Sequence, residues 1–74
     1  MAETDLQKVY REHLGLRIGP EMAAYVERQL AAGEAAPIFV IGQDARTGAA
    51  VRKPVEPAHL LALLAAPAVL TPHP

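Results

Sequence analysis

The first fourteen residues combine a helix-capping signal with apolar side chains at helical spacing. Thr4 and Gln7 form a T-x-x-Q capping box, in which each side chain hydrogen-bonds to the backbone of the other residue. Gly15 supplies a stop signal. The pattern therefore predicts a first helix over about residues 5–13. The residues that follow at helical spacing are Leu6, Val9, Tyr10, His13 and Leu14.

The next segment changes to the two-residue period of a β-strand. Every second side chain of residues 14–18 is apolar and Arg17 falls on the opposite side, which predicts a short strand. A second helix is predicted over about residues 20–32, because Pro20 suits its first turn and Gly33 suits the position after its end. The apolar stripe of this helix contains Met22, Val26 and Leu30.

Residues 38–55 allow two interpretations. The run PIFVIG is rich in β-branched and aromatic side chains and QDARTG has the composition of a turn, so a hairpin over this range is one of them. Pro54 would then lie at the edge or end of the returning strand. The other interpretation starts a helix after Pro37 and continues it through Ala45, where Gly42 would weaken it by about 1 kcal/mol.

The last eighteen residues, 57–74, contain no Asp, Glu, Lys or Arg. Pro57 suits a helix start, the run AHLLALLAA has leucines on more than one face, and Pro67 ends it. We expect such a helix to be buried, either in this domain's core or against a partner. The chain is accordingly divided into a single small domain over residues 1–56 and an apolar C-terminal helix with a Pro-rich tail over residues 57–74. The predicted fold class is small α+β, with two or three short helices and one or more short strands.

The composition limits the ways in which such a small chain can be stabilised and the kinds of partner it can bind. The chain has 74 residues, no cysteine and three widely separated histidines, so a disulfide or a thiolate zinc site cannot supplement a core of this size. We therefore expect a homo-oligomer or a subunit of something larger. The formal charge of −1 and the pI of about 6.3 argue against non-specific binding to nucleic acid or anionic membranes. Without a signal sequence or a membrane-length apolar run, a cytoplasmic protein is predicted.

Catalytic constellations are nearly absent from the sequence. Residues 42–48, GQDARTG, lack the Gly-Lys-Ser/Thr ending of a phosphate loop, so a plain turn is expected, with a local ion pair between Asp44 and Arg46. His59 is expected to be a satisfied or half-exposed histidine, because the chain has no serine or cysteine nucleophile beside it. A modest basic cluster consists of Arg46, Arg52 and Lys53. It is expected to be a solvated face or, alternatively, an anchor for phosphate or an acidic partner. We predict no enzymatic activity, no cofactor and no metal site.

The segment LGLRIGPEMAAYVERQLAAGEA resembles the amino-terminal part of ribbon-helix-helix antitoxins of the ParD type. In that family a short strand leads into a helix that ends in a Q-x-x-x-G-like stretch, for which this chain has Gln29 to Gly33. VIGQDAR, residues 40–46, is similar to the start of the family's next helix. The resemblance covers about residues 14–46. It implies a bacterial, cytoplasmic dimer in which the strands over residues 14–18 pair antiparallel between two chains.

The resemblance also implies roles for particular residues. Arg17 and His13 would contact operator DNA, and the segment after Gly48 would bind and neutralise a toxin. The partner-binding residues would be Leu60, Leu61 and Leu64. The dimer core would consist of Leu14, Leu16, Ile18, Met22, Val26 and Leu30.

The alternative function is a small structural or adaptor subunit of a larger assembly, such as a phage particle, a secretion machine or an enzyme complex, with no nucleic-acid role. The near-neutral charge, the absent catalytic groups and the excess of apolar side chains favour it. Both hypotheses describe a non-enzymatic interaction protein. They differ over residues 38–46, which are helical in the antitoxin-like protein and extended in the adaptor.

Overall fold

The computed structural model describes residues 3–65, which form three helices and three strands. In chain order these elements are α1 (Asp5–Leu14), β1 (Leu16–Arg17), α2 (Pro20–Ala31), β2 (Ile38–Asp44), β3 (Ala50–Val55) and α3 (Pro57–Ala65). The strands form one antiparallel sheet in the order β1-β2-β3. The predicted small α+β fold class is confirmed. The predicted Pro-rich tail lies outside the described residues.

Helix α1 begins at the predicted capping box. The Gln7 N–H donates to Thr4 Oγ1 at 3.2 Å, and the Thr4 N–H donates to Gln7 Oε1 at 3.0 Å. The Gln7 side-chain amide also donates to the Ile18 carbonyl at 3.0 Å. Gly15 follows the helix with a left-handed φ of 66°. A local capping signal therefore also fastens the start of α1 to the chain between β1 and α2.

Helix α2 ends in a Schellman motif. It begins at Pro20, as the sequence predicts, and Gly33 follows its end with a φ of 75°. The Gly33 N–H donates to the Leu30 carbonyl and the Glu34 N–H donates to the Gln29 carbonyl, each at 3.1 Å. These two bonds satisfy carbonyls that the end of a helix otherwise leaves without partners.

Residues 38–55 form a hairpin, and the alternative helix after Pro37 is wrong. Strand β2 pairs with β3 from Ile38 opposite Val55 to Gln43 opposite Ala50. The other edge of β2 pairs with β1. As the central strand, β2 makes backbone hydrogen bonds to two neighbours, and a helix over the same residues could make neither set. This non-local pairing outweighs the helix-start signal of Pro37.

The core lies between the helices and one face of the sheet. Its largest fully buried side chains are Tyr10, Leu6, Leu16, Leu60, Val26 and Val40. Because Leu60 belongs to the same core as residues of α1, α2 and the sheet, α3 is part of this domain. The boundary predicted after Glu56 therefore does not separate two units. The helix was expected to be buried either in the domain's core or against a partner, and Leu60 lies in the domain's own core.

Gly42 lies where the main chain passes closely over β2. A Cβ atom at this position would overlap the Arg17 carbonyl oxygen and would lie 3.1 Å from Ile18 Cγ2. Just beyond β1, the Ile41 N–H donates to the Met22 sulfur at 3.3 Å. The start of α2 therefore covers the edge of β2 that the two-residue strand β1 leaves unpaired.

Candidate interaction surface

The sheet has one face against the helices and one face in solvent. In antiparallel sheets, residues directly opposite each other point to the same face. Arg17 is opposite Gln43, and Ile41 is opposite Arg52. We call the solvent side the open sheet face. It consists of Arg17, Phe39, Ile41, Gln43, Ala50, Arg52 and Pro54, and all of these residues are exposed.

Two large apolar side chains lie together in the middle of this face. Phe39 is 48% exposed and Ile41 is 64% exposed. They are two residues apart on the central strand, so their Cα atoms are separated by about 7 Å on the same side of the sheet. Single exposed apolar side chains are common on protein surfaces, whereas adjacent large ones are typical of interaction sites.

Within the part of the chain that the structure describes, the cations on the open sheet face have no carboxylate within ion-pair distance. The Arg52 guanidinium carbon lies 4.5 Å from the centroid of the Phe39 ring, a cation–π arrangement. Within residues 3–65, the arginine with a carboxylate inside 4.0 Å is Arg11, on α1. Arg17 and Arg52 thus leave the face positively charged around its apolar centre.

The loop of the hairpin is held by the Asp44 side chain. Asp44 Oδ1 accepts hydrogen bonds from the N–H groups of Arg46 at 2.8 Å and Thr47 at 3.0 Å. These bonds lower the pKa of the Asp44 carboxyl below its usual value, since they favour the charged form. Gly48 closes the loop with a φ of 79° and donates to the Asp44 carbonyl at 2.8 Å. The turn predicted over residues 42–48 is therefore confirmed in part: residues 45–47 form a turn, whereas residues 42–44 belong to β2.

Two details of the sequence hypothesis for this hairpin need correction. Asp44 bonds to the main-chain N–H of Arg46, and residues 3–65 show no ion pair between their side chains, because the loop geometry turns the carboxylate inward onto the backbone. The predicted basic cluster is also divided. Arg46 lies in the loop and Arg52 lies on the open sheet face, whereas Lys53 follows on the opposite side of β3, in register with Val40.

The two predicted DNA-binding residues lie on different parts of the molecule. Arg17 is on the open sheet face. His13, on α1, lines a shallow groove of about 270 Å³ between α1 and α3, together with Val9, Leu63 and Leu64. The fold therefore does not bring Arg17 and His13 onto one surface.

The residues predicted for a dimer core lie in or against the core of a single chain. Leu16, Ile18 and Val26 are 1%, 6% and 0% exposed, so they have no surface left for a second copy. Leu14, Met22 and Leu30 are half-buried against the same core. Of the strand predicted over residues 14–18, the structure has Leu16–Arg17 as β1, whereas Leu14 ends α1. Because β1 pairs with β2 of its own chain, its apolar side is covered from within.

The predicted partner-binding leucines of α3 do not share one environment. Leu60 is 0% exposed and cannot reach a partner, because it fills the core beside α1. Leu61 and Leu64 are 50% and 38% exposed. His59, on the same helix, is exposed.

Composition and spacing alone give Phe39 and Ile41 no role, because their position depends on strand pairing. One signal in the sequence does point to them. A hairpin with its loop at residues 45–49 places Ile41 opposite Arg52 and Phe39 opposite Pro54, as observed. Since Ile38 and Val40 then face the core, the register leaves Phe39 and Ile41 in solvent.

Other kinds of site find little support in the described part of the chain. Residues 3–65 contain no group of three or more His, Asp or Glu side chains placed to hold a metal ion. Within the same range, each helix is too short or too polar to cross a membrane. No protein-family model, curated protein or solved structure matches this chain. The open sheet face is therefore interpreted from its own chemistry.

Proposed function

We propose that this chain is a non-enzymatic protein-interaction module, a small adaptor subunit, that binds a protein partner through the open sheet face. The observation that supports this function is the pair Phe39 and Ile41, exposed side by side on the central strand. Aromatic and large aliphatic side chains at the centre of a surface, with polar and cationic groups around them, are the usual composition of a binding hot spot.

The fold itself does not require these two side chains. The core is completed by Ile38, Val40 and Val55 on the opposite side of the sheet. Threonine, which is also β-branched, would suit an exposed strand position such as 41 as well as isoleucine does, and it would expose less apolar surface. A binding role accounts for residues that stability does not explain.

The strand over residues 38–44 favours the adaptor over the antitoxin-like regulator. The antitoxin-like arrangement uses a helix over residues 38–46 and a strand shared between two chains, whereas β2 is extended and pairs with β1 of the same chain. Operator binding through Arg17 and the formation of a homo-oligomer stay predictions. A DNA-binding measurement and a light-scattering mass test them directly.

Photo-crosslinking in the source cells tests which surface meets the partner. Ile41 or Leu61 is replaced by p-benzoylphenylalanine in the full chain, one position at a time. The two positions are 64% and 50% exposed, so both present the label to solvent, and they lie on different elements. We expect adducts to one protein from position 41 and none from position 61. The captured protein is then purified and titrated with the wild-type chain and with Phe39→Ala, which is expected to bind at least about tenfold more weakly.

Each other outcome contradicts a defined part of the proposal. Adducts from position 61 alone place the partner on α3, at the predicted leucines Leu61 and Leu64. Adducts with twice the mass of the chain identify a homo-oligomer. A folded chain that gives no adduct from either position has no protein partner at these surfaces, and the proposed function fails.

A further inference from the structure

We infer that the partner is acidic: the open sheet face binds a protein segment whose carboxylates contact Arg52 and Arg17 and whose apolar side chains cover Phe39 and Ile41. This inference rests on the proposed function and specifies the chemistry of the partner. It is carried by the charge distribution, the stacking of Arg52 and the spacing of the two arginines.

The open sheet face is cationic in a chain whose net charge is −1. Residues 38–55 contain three cationic side chains and one carboxylate, and of the three cations Arg52 lies on this face. That carboxylate, Asp44, is bonded to two N–H groups of the hairpin loop. Arg17 adds a further cation to the open sheet face from β1. The face therefore offers no anion of its own, and a partner with carboxylates supplies the missing charge.

The Arg52 guanidinium lies over the Phe39 ring, with its carbon 4.5 Å from the ring centroid. The side-chain hydrogen bonds and ion pairs found among residues 3–65 include none from this guanidinium. A planar guanidinium binds a carboxylate through two parallel N–H···O bonds, and prior stacking reduces the entropy lost when they form.

The spacing of the arginines sets the form of the segment. Arg17 and Arg52 lie on the two outer strands and are offset by two residues along β2. With ordinary strand spacing, their Cα atoms are roughly 12 Å apart. Ile41 is opposite Arg52 on the strand between them, and Phe39 lies two residues further from Arg17 along the same strand. Two carboxylates about seven residues apart on an amphipathic helix, with one apolar residue over Ile41 and another over Phe39, match this arrangement.

Two other occupants fit the same face less well. A second copy docked face to face would bring four arginines together without a carboxylate, which disfavours association. Single-stranded nucleic acid needs several aromatic platforms, whereas the face has one ring, and Arg52 already covers one side of it.

A peptide selection tests this chemistry without a known partner. The immobilised full chain is exposed to a phage library of random twelve-residue peptides at low salt, and selected peptides are synthesised with a fluorescein label for polarisation titrations. We expect the selected peptides to contain at least two Asp or Glu residues together with large apolar residues. Arg52→Gln is expected to raise their Kd about tenfold or more, and Arg17→Gln several-fold.

The matched control removes the same charge from the neighbouring position. Lys53 follows Arg52 in the chain but lies on the opposite side of β3. Lys53→Gln is therefore expected to change the Kd less than about twofold. Circular dichroism of the variants, all at exposed positions, checks that each is folded. Binding is also expected to weaken as NaCl is raised to about 0.5 M, because partly exposed ion pairs are screened.

The remaining outcomes separate this inference from the proposed function. Selected peptides that lack acidic residues but lose binding with Phe39→Ala overturn the acidic partner and leave the open sheet face as the binding site. Peptides whose binding is unaffected by Phe39→Ala overturn both. Tighter binding of a fluorescein-labelled oligothymidylate, lost in Arg52→Gln, assigns the face to nucleic acid. No enrichment over the bare surface overturns the acidic partner.

Discussion

Replacement of Gly42 by alanine is expected to destabilise the protein strongly although Gly42 has an ordinary backbone conformation. The added Cβ would overlap the Arg17 carbonyl oxygen, a backbone atom that cannot rotate away. The contact is relieved only if the segment from β1 to α2 moves off β2. That movement weakens the two-residue pairing of β1 and the packing of Ile18, which is 6% exposed.

The magnitude follows from two opposing effects. Forcing extra atoms into a close-packed contact costs about 1–3 kcal/mol. Alanine restricts the unfolded chain relative to glycine, which returns about 0.4–1 kcal/mol. With the middle of each range, the expected net loss in the free energy of unfolding is about 1–2 kcal/mol. A domain of this size has a total of roughly 4–11 kcal/mol, so the loss is a large fraction of it.

Urea unfolding followed by far-ultraviolet circular dichroism measures this loss. With a slope near 1 kcal/mol per molar urea, the midpoint is expected to fall by about 1–2 M. Gly19→Ala is the matched control, because a Cβ there meets no atom within 4 Å and the φ of −77° suits alanine. It is expected to change stability by less than about 0.5 kcal/mol. Equal midpoints for the two variants would refute the close approach of β1 to Gly42.

Three further predictions concern stability. Tyr10→Phe is expected to leave the urea midpoint unchanged or raise it by about 1 M. The buried Tyr10 hydroxyl has no hydrogen-bond partner among residues 3–65, and burial raises its pKa to about 12. A large fall in the midpoint would reveal a hydrogen-bond partner. Leu60→Ala is expected to cost about 2–5 kcal/mol in the same assay and Leu61→Ala less than about 1 kcal/mol, so equal costs would remove α3 from the core. The pKa of Asp44 is lower in the folded than in the unfolded chain, so the stability that its charged carboxylate contributes is present above the unfolded pKa and is lost as pH falls through the folded pKa. The wild type is therefore expected to lose its stability advantage over Asp44→Asn on acidification. A stability difference between the two that does not change with pH would contradict this.

The helices could be predicted from the sequence because their signals are local. The capping box at Thr4 and Gln7, the proline at the start of α2 and the glycine after its end each act within one helical turn. Their residues make the predicted bonds in the folded chain. The Gln7 bond to the Ile18 carbonyl was beyond prediction, since it joins residues eleven apart through the tertiary fold.

The hairpin and the open sheet face depend on pairing between distant segments, and this is why local patterns left them undecided. Residues 38–41 are all apolar, so their periodicity distinguishes neither helix from strand nor core from surface. Gly42 weakens a helix and also permits the close approach of β1, and the fold shows the second role. Arg17 and Arg52, thirty-five residues apart, reach one face through the register of three strands.

The edges of the sheet are protected against further strands, whereas its open face is not protected against contact. Strand β1 has two residues, and the adjoining edge of β2 is covered by Met22. The outer strand β3 carries Lys53 and Pro54, and both residue types discourage the addition of a strand. Edges that discourage strand addition, together with the exposed Phe39 and Ile41, agree with the proposed binding through the open sheet face. They favour a partner that packs on the face through its side chains rather than one that extends the sheet through its backbone.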